Sequence, residues 1–335
     1  MIVLIRIALS LLPVLTFVLL LVVLDSYKLV RLRAVLIAIS AGALAAAACF
    51  LINRQVLSYW PFELSIYSRY AAPFLEELTK AAYMVILIRR QRIGFMVDAG
   101  ILGAAIGAGF AGIENVYYLY SIADPNPMTW VVRGFGTAVM HAGTTAIFSI
   151  ITVTAKERRP SSILPFVFGF GCAMFLHSIF NHFVLPPLVS TGVLVLTLPP
   201  LVVLIFARSE KSLEKWLGVG FDSDVQLFET IVSGGVLQTK VGQYLTSLKQ
   251  HFPGEILADM LCLLRLHLEL SIKAKGVLLM REAGYEVPPS PEVRGMFDEL
   301  RYLEKSIGPT GKLALAPVLH KSSRELWELH MLKEA

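Results

Sequence analysis

Charge is scarce in this chain: Asp, Glu, Lys and Arg make up 16% of its 335 residues, against 56% hydrophobic. With a mean hydropathy of +0.66, that shortage excludes an ordinary soluble domain and points to a polytopic membrane protein. Cysteine is scarcer still. Cys49 and Cys172 fall in apolar runs and Cys262 near the C-terminus, a spacing that supports neither a disulfide framework nor a Cys-x-x-Cys metal site. No basic run is interleaved with aromatics, so the net charge of +5 does not suggest a nucleic-acid partner. The positive balance sits in the first 207 residues, where Lys and Arg outnumber Asp and Glu by 14 to 8; beyond them the balance is 16 to 17. Internal repeats are absent too.

Apolar runs dominate instead. Those long enough to cross hydrocarbon, about 20 residues, occur at 5–25, 34–53, 71–88, 97–121, 130–155, 163–184 and 189–207. The first has the look of a signal peptide, but Asp25 and Tyr27 stand where a small-residue cleavage site would be, so a retained span is expected. Basic residues fall in alternate connections: Lys28, Arg31 and Arg33; Arg89, Arg90 and Arg92; Lys156, Arg158 and Arg159; Arg208 and Lys211. All can be cytoplasmic at once, which puts the N-terminus outside and the C-terminus inside. The opposite connections carry aromatics suited to an interface, Tyr59, Trp60, Tyr67 and Tyr70, then Tyr117, Tyr118, Tyr120 and Trp130. The expected architecture is an all-α bundle of about seven transmembrane helices at 1–207, followed by a cytoplasmic α-helical domain at 208–335.

The fourth run, "DAGILGAAIGAGFAGIEN", has small residues at four-residue spacing (Gly103, Gly107, Ala111). Such a stripe lets helix backbones approach closely in lipid. Within the runs the ionisable residues clear of the ends are few: Glu76, Glu77, Lys80, Glu114, His141, His177 and His182. Each charge at a helix centre costs about 2.5–3.5 kcal/mol on an insertion scale. At about 1.5 Å per residue, Glu76, Glu114, His141 and His177 fall at overlapping depths in the outer half of the membrane. Four helices thus offer carboxylate or imidazole to one layer.

Two histidines and a carboxylate can hold a zinc ion that activates water, with a free glutamate as base. Glu114, His141 and His177 can supply the ligands and Glu76 or Glu77 the base. Lys80 lies within ion-pair reach of either carboxylate and can orient one of them. Asn181, one turn after His177, can donate to an oxyanion. Other readings stand beside this one: a structural Glu76–Lys80 pair, histidines that hydrogen-bond between helices, an ion- or proton-coupled transporter, or a silent membrane scaffold.

These residues resemble a known family. "EELTK" (76–80), "FAGIEN" (110–115), "HAGTT" (141–145) and "HSIFN" (177–181) look, in this order, like the motifs of the PrsW intramembrane proteases, relatives of the CAAX prenyl proteases and the bacterial Abi/CPBP proteins. The resemblance covers about residues 30–205. It implies a multi-pass peptidase of the inner membrane whose site includes Glu76, Glu77, Glu114, His141, His177 and Asn181. It also implies a membrane protein substrate, in some members an anti-sigma factor in regulated proteolysis. Glu114 stands where the prenyl-protease relatives have His, and it still suits zinc. The alternative is a glutamate-activated water without metal.

Overall fold

The computed structural model describes residues 2–60, 63–122, 126–285, 287–288, 290–319 and 323–334. All of the regular structure among them is helical. The chain divides into two compact units, Met1–Glu210 and Lys211–Ala335.

The first unit holds α1 (Ile2–Val23), α2 (Leu32–Tyr59), a short α3 (Leu64–Ile66) running into a π-helical turn (Tyr67–Ala71), and α4 (Ala72–Arg89). Then come α5 (Met96–Ser121), α6 (Pro127–Val131) with a second π-helical stretch (Val132–Ala138), α7 (Val139–Arg158), α8 (Leu164–His182) and the start of α9 (Pro187–Val232). Six helices among the described residues are long and apolar enough to cross a membrane: α1, α2, α5, α6 to α7 taken together, α8 and α9. The expected span at 71–88 is α4, 18 residues long. Glu76, Glu77, Lys80 and Arg89 keep it out of a count made on length and apolar composition alone.

α5 is the axis of this unit. Its first turn is fixed by Asp98, whose carboxylate accepts from the backbone NH groups of Gly94 (2.8 Å) and Phe95 (2.8 Å), just ahead of the helix, and from that of Ala99 (3.0 Å), which also donates to the Phe95 carbonyl. Residues 97–111 are buried all round, and the small-residue stripe explains how. A Cβ on Gly109 would lie 1.9 Å from the Ile39 carbonyl oxygen, and one on Gly42 1.9 Å from that of Ile106, so α2 and α5 meet backbone to backbone. On the other side a Cβ on Gly107 would lie 2.2 Å from the His141 carbonyl oxygen, which draws α7 equally close. The outer helices, by contrast, turn large apolar residues such as Leu44, Phe168 and Leu196 outward, as lipid contact requires.

The second unit comprises the rest of α9, a 3₁₀ turn (Gly235–Gln238), α10 (Lys240–Ser247), α11 (Gly254–Glu282), α12 (Pro291–Leu315, bent at Gly308, φ +65°) and α13 (Ser323–Glu334). Its apolar core, with Leu264, Leu270, Leu278 and Trp327, encloses one polar cluster. Lys275 Nζ lies 2.8 Å from Asp224 Oδ2 of α9, 3.0 Å from Glu328 Oε2 of α13 and 2.5 Å from Ser271 Oγ. Lys275 and Glu328 are buried, so one ammonium serves two carboxylates in a medium that solvates neither.

Two outcomes follow for this cluster. Above pH 7, where both acids are ionised, Lys275→Met should destabilise the second unit by about 3–5 kcal/mol, the cost of leaving buried carboxylates without their ammonium. Burial also pushes the Glu328 carboxyl up from 4.5 to about 7, against the opposing pull of Lys275. The folded unit therefore holds a proton that the unfolded chain releases near 4.5. The stability this lends is complete below that pH and is lost as pH rises through 7. Proteolysis of this unit in the intact detergent-solubilised protein should be faster at pH 8 than at pH 6, and the difference should vanish in Glu328→Gln.

Candidate active site

Four helices of the first unit bring ionisable side chains together. They do so at one end of the bundle, where α4 and α7 begin and α5 and α8 finish. A π-helical turn precedes both α4 and α7. The wider turn shifts the phase of the residues after it relative to an unbroken α-helix, and such insertions concentrate at functional sites. Here Glu76 and Glu77 follow one, and His141 the other.

Glu77 is the most enclosed carboxylate. Its Oε1 accepts from Lys80 Nζ (2.6 Å), from His177 Nδ1 (2.7 Å) and from the Thr144 hydroxyl (3.1 Å), and the side chain is only 2% exposed. This satisfies the carboxylate where no water is at hand. It also sets the histidine: with the His177 proton on Nδ1, the Nε2 lone pair is free. That Nε2 lies 3.7 Å from Glu76 Oε2, which lies 3.9 Å from His141 Nε2. The two imidazole rings stand perpendicular, centroids 4.8 Å apart.

His141 is oriented differently. Its Nδ1 lies 3.0 Å from Lys80 Nζ. An ammonium can only donate, so Nδ1 accepts and the ring proton sits on Nε2, 2.9 Å from Glu114 Oε2. Glu114 is held at its other oxygen by Arg133, whose Nη2 is 3.2 Å from Oε1. Arg133 in turn donates from Nε to Asn115 Oδ1 (2.9 Å), lies 3.6 Å over the Tyr118 ring, and comes from the second π-helical stretch. Glu76 and Glu114 are the two carboxylates that keep some exposure, 14% and 23%; they face whatever water reaches the cluster.

The grouping differs from the expected one in its assignments. Glu76 Oε2 and one ring nitrogen each of His141 and His177 lie within 4.8 Å of one another. Glu76 thus stands where Glu114 was expected, and Glu114 pairs with His141 Nε2. Lys80 does orient a carboxylate, that of Glu77. Asn181 goes elsewhere. Its Nδ2 donates to the Ser68 carbonyl (2.9 Å) and Ser178 Oγ to that of Arg69 (2.6 Å), so both tie the end of α8 to the first π-helical turn. His182 bonds Tyr70 and the Ser178 carbonyl. Arg133 and Thr144 were missed. Arg133 had a signal, a cation just inside an apolar run. Thr144 had none, because hydroxyls are common in such helices.

Two imidazoles and a carboxylate converging on one point suit a catalytic zinc ion, which takes three protein ligands and keeps a position for water. The second layer suits it as well: His177 is braced by a carboxylate through its other nitrogen, and His141 is fixed by Lys80. Ligation at His141 Nε2 requires a neutral ring protonated at Nδ1 instead: the Nε2 proton would leave to solvent by way of Glu114, 2.9 Å away, and Lys80, 3.0 Å from Nδ1, would supply one there. Neither a curated protein nor a solved structure matches the chain. A family model does: residues 30–205 match the PrsW family intramembrane metalloprotease, the stretch that contains every residue of this cluster. By the geometry of its membrane site and by that match across half its length, the chain belongs to the PrsW family.

Proposed function

We propose that this protein is a zinc peptidase of the inner membrane that cuts membrane-associated protein substrates near the outer face, as in the first cleavage of a membrane-tethered anti-sigma factor. The observation that carries the reading is the approach of Glu76, His141 and His177, from three helices, to within 4.8 Å. The alternation of basic connections supports an outward position, with the N-terminus outside and the C-terminus cytoplasmic.

In this reading Glu76, His141 and His177 hold the ion. Zinc, when bound, supplies Lewis acidity and brings the pKa of its water to about 7. Glu114 is the proton carrier: Oε2 accepts from the attacking water and returns the proton to the leaving amine, while Arg133 holds Oε1 and keeps the carboxylate aimed. Glu77 positions His177. Lys80 spans Glu77 and His141 and keeps both fixed. Asn181, whose Nδ2 donates to the Ser68 carbonyl, holds α8 against the turn before α4.

The test is elemental. Detergent-purified protein should carry about one equivalent of zinc, lost in Glu76→Ala and in His177→Ala but kept in Glu114→Ala, in which cleavage of a reconstituted membrane substrate should cease. Zinc lost from Glu114→Ala and kept by Glu76→Ala would exchange the two roles. A metal-free preparation that still cleaves would reject the zinc mechanism.

A further inference from the structure

A cavity of about 400 Å³ lies in the first unit between α7, α8 and the start of α9, lined by Gly143, Thr144 and Ile147 of α7, Ile179 of α8, and Val193 and Leu198 of α9 among others. Its size is that of a ligand pocket. No charged residue lines it. The hydroxyls that do are already engaged: Ser190 donates to the Leu185 carbonyl (3.3 Å), Thr197 to that of Val193 (2.8 Å), and Thr144 to Glu77 and the His141 carbonyl. Their protons are already given to protein acceptors and the rest of the lining is apolar, so the occupant is apolar.

Where the cavity ends decides which apolar occupant. Thr144 belongs to both: its side chain lines the cavity and its hydroxyl donates to Glu77 Oε1, the oxygen that fixes His177. Gly143 beside it leaves room, since even a Cβ there would only touch Leu198 at 3.4 Å. Toward the outside, Ile179 and Val193 are about half exposed (47% and 48%), so the cavity opens sideways between α8 and α9, the direction in which lipid lies. Its inner end is Thr144, one hydrogen bond from Glu77 and two from His177.

We infer that the α7–α8–α9 cavity is the specificity pocket of the peptidase, taking large aliphatic or aromatic side chains of a membrane-embedded substrate segment beside the scissile bond. The inference rests on the peptidase reading. It assigns Ile179, Val193 and Leu198 as the residues that choose the cleavage position, while the charged cluster supplies the chemistry. An acyl chain would fill the same space, and it is the occupant the test must separate.

The probe is a peptide with a leucine-rich transmembrane core of about 20 residues, reconstituted with the full-length protein in phosphatidylcholine vesicles. In one arm, benzophenone-alanine replaces Val193 in the Glu76→Gln protein. Illumination should give a peptide adduct that is lost when Ile179→Trp fills the cavity; adducts with phospholipid alone would overturn the inference. In the other arm, cleavage positions are read by mass spectrometry on peptides whose core leucines are changed to alanine one at a time. The wild type should prefer a large side chain at one position flanking the cut. Ile179→Trp and Val193→Trp should each shift that preference toward alanine by about tenfold in relative kcat/KM, the usual scale of apolar pocket discrimination, with other positions unaffected. An unchanged profile in both filled variants would overturn the pocket. A peptide adduct without cleavage by the wild type would overturn the peptidase reading and leave the pocket's ligand standing.

Discussion

Glu76→Gln should leave the protein folded and membrane-inserted while lowering cleavage of a reconstituted membrane substrate by roughly 10³-fold or more, the scale of losing an essential acid–base or metal-bound group. The reason lies in what Glu76 touches. It is turned toward two imidazole nitrogens at 3.7 and 3.9 Å, longer than a hydrogen bond, so an amide of the same shape disturbs little packing. Glu77 is a sharper comparison because it is adjacent in sequence. Its oxygen accepts from Lys80, His177 and Thr144, and Glu77→Gln removes a buried charge from beside a buried ammonium. That change should cost about 3–5 kcal/mol of stability. In whatever protein folds, zinc affinity should fall by about 10–100-fold, as for loss of an outer-shell carboxylate. Cleavage by purified protein, zinc content and thermal melting together separate the two. Equal melting temperatures with equal loss of cleavage would show that Glu77 acts on substrate directly.

The second large effect requires no change to any charged group. Gly107→Ala places a methyl 2.2 Å from the His141 carbonyl oxygen and 2.6 Å from the Ala142 Cα, distances no Cβ sustains. These are backbone atoms, so α7 must move as a whole and carry His141 with it. Overpacking of this kind costs roughly 3 kcal/mol, and a displacement near 1 Å lowers catalysis by about 10²-fold. Gly112→Ala is the control on the same helix, because a Cβ there meets nothing within 4 Å. Melting and kcat/KM in vesicles should fall for Gly107→Ala and stay at the wild-type level for Gly112→Ala. A fully active Gly107→Ala protein would mean that α5 and α7 are not pressed together as described.

Much of this was legible from residue type, because hydrocarbon makes each ionisable side chain expensive and leaves few to weigh. Glu76, Glu77, Glu114, His141 and His177 stood out on that ground alone, and the stripe around Gly107 announced the close helix pair. The roles were less legible, because they depend on rotation. Glu76 and Glu77 differ by about 100° around α4; which one braces His177 from behind and which one turns toward the Nε2 atoms of both histidines depends on the phase set by the π-helical turn at Tyr67–Ala71, invisible in an apolar pattern. Asn181 shares a helix face with His177, as its spacing required. It lies a turn nearer the end of α8, however, where a backbone carbonyl is in reach and the charged cluster is not. Arg133 was hidden by its place at the edge of a run, where a cation ordinarily extends to water.

The family match begins at residue 30, yet the helix ahead of it reaches the proton carrier in a few steps. The Ser10 carbonyl of α1 accepts from Asn115 Nδ2 (2.8 Å), Asn115 Oδ1 accepts from Arg133, and Arg133 grips Glu114. The Leu9 carbonyl lies so near Gly134 that a Cβ there would sit 1.8 Å away. The shared segment is therefore not self-sufficient in this protein. Shorn of its leading helix, it would keep all seven residues singled out from the sequence and still lose the aim of one of its acids.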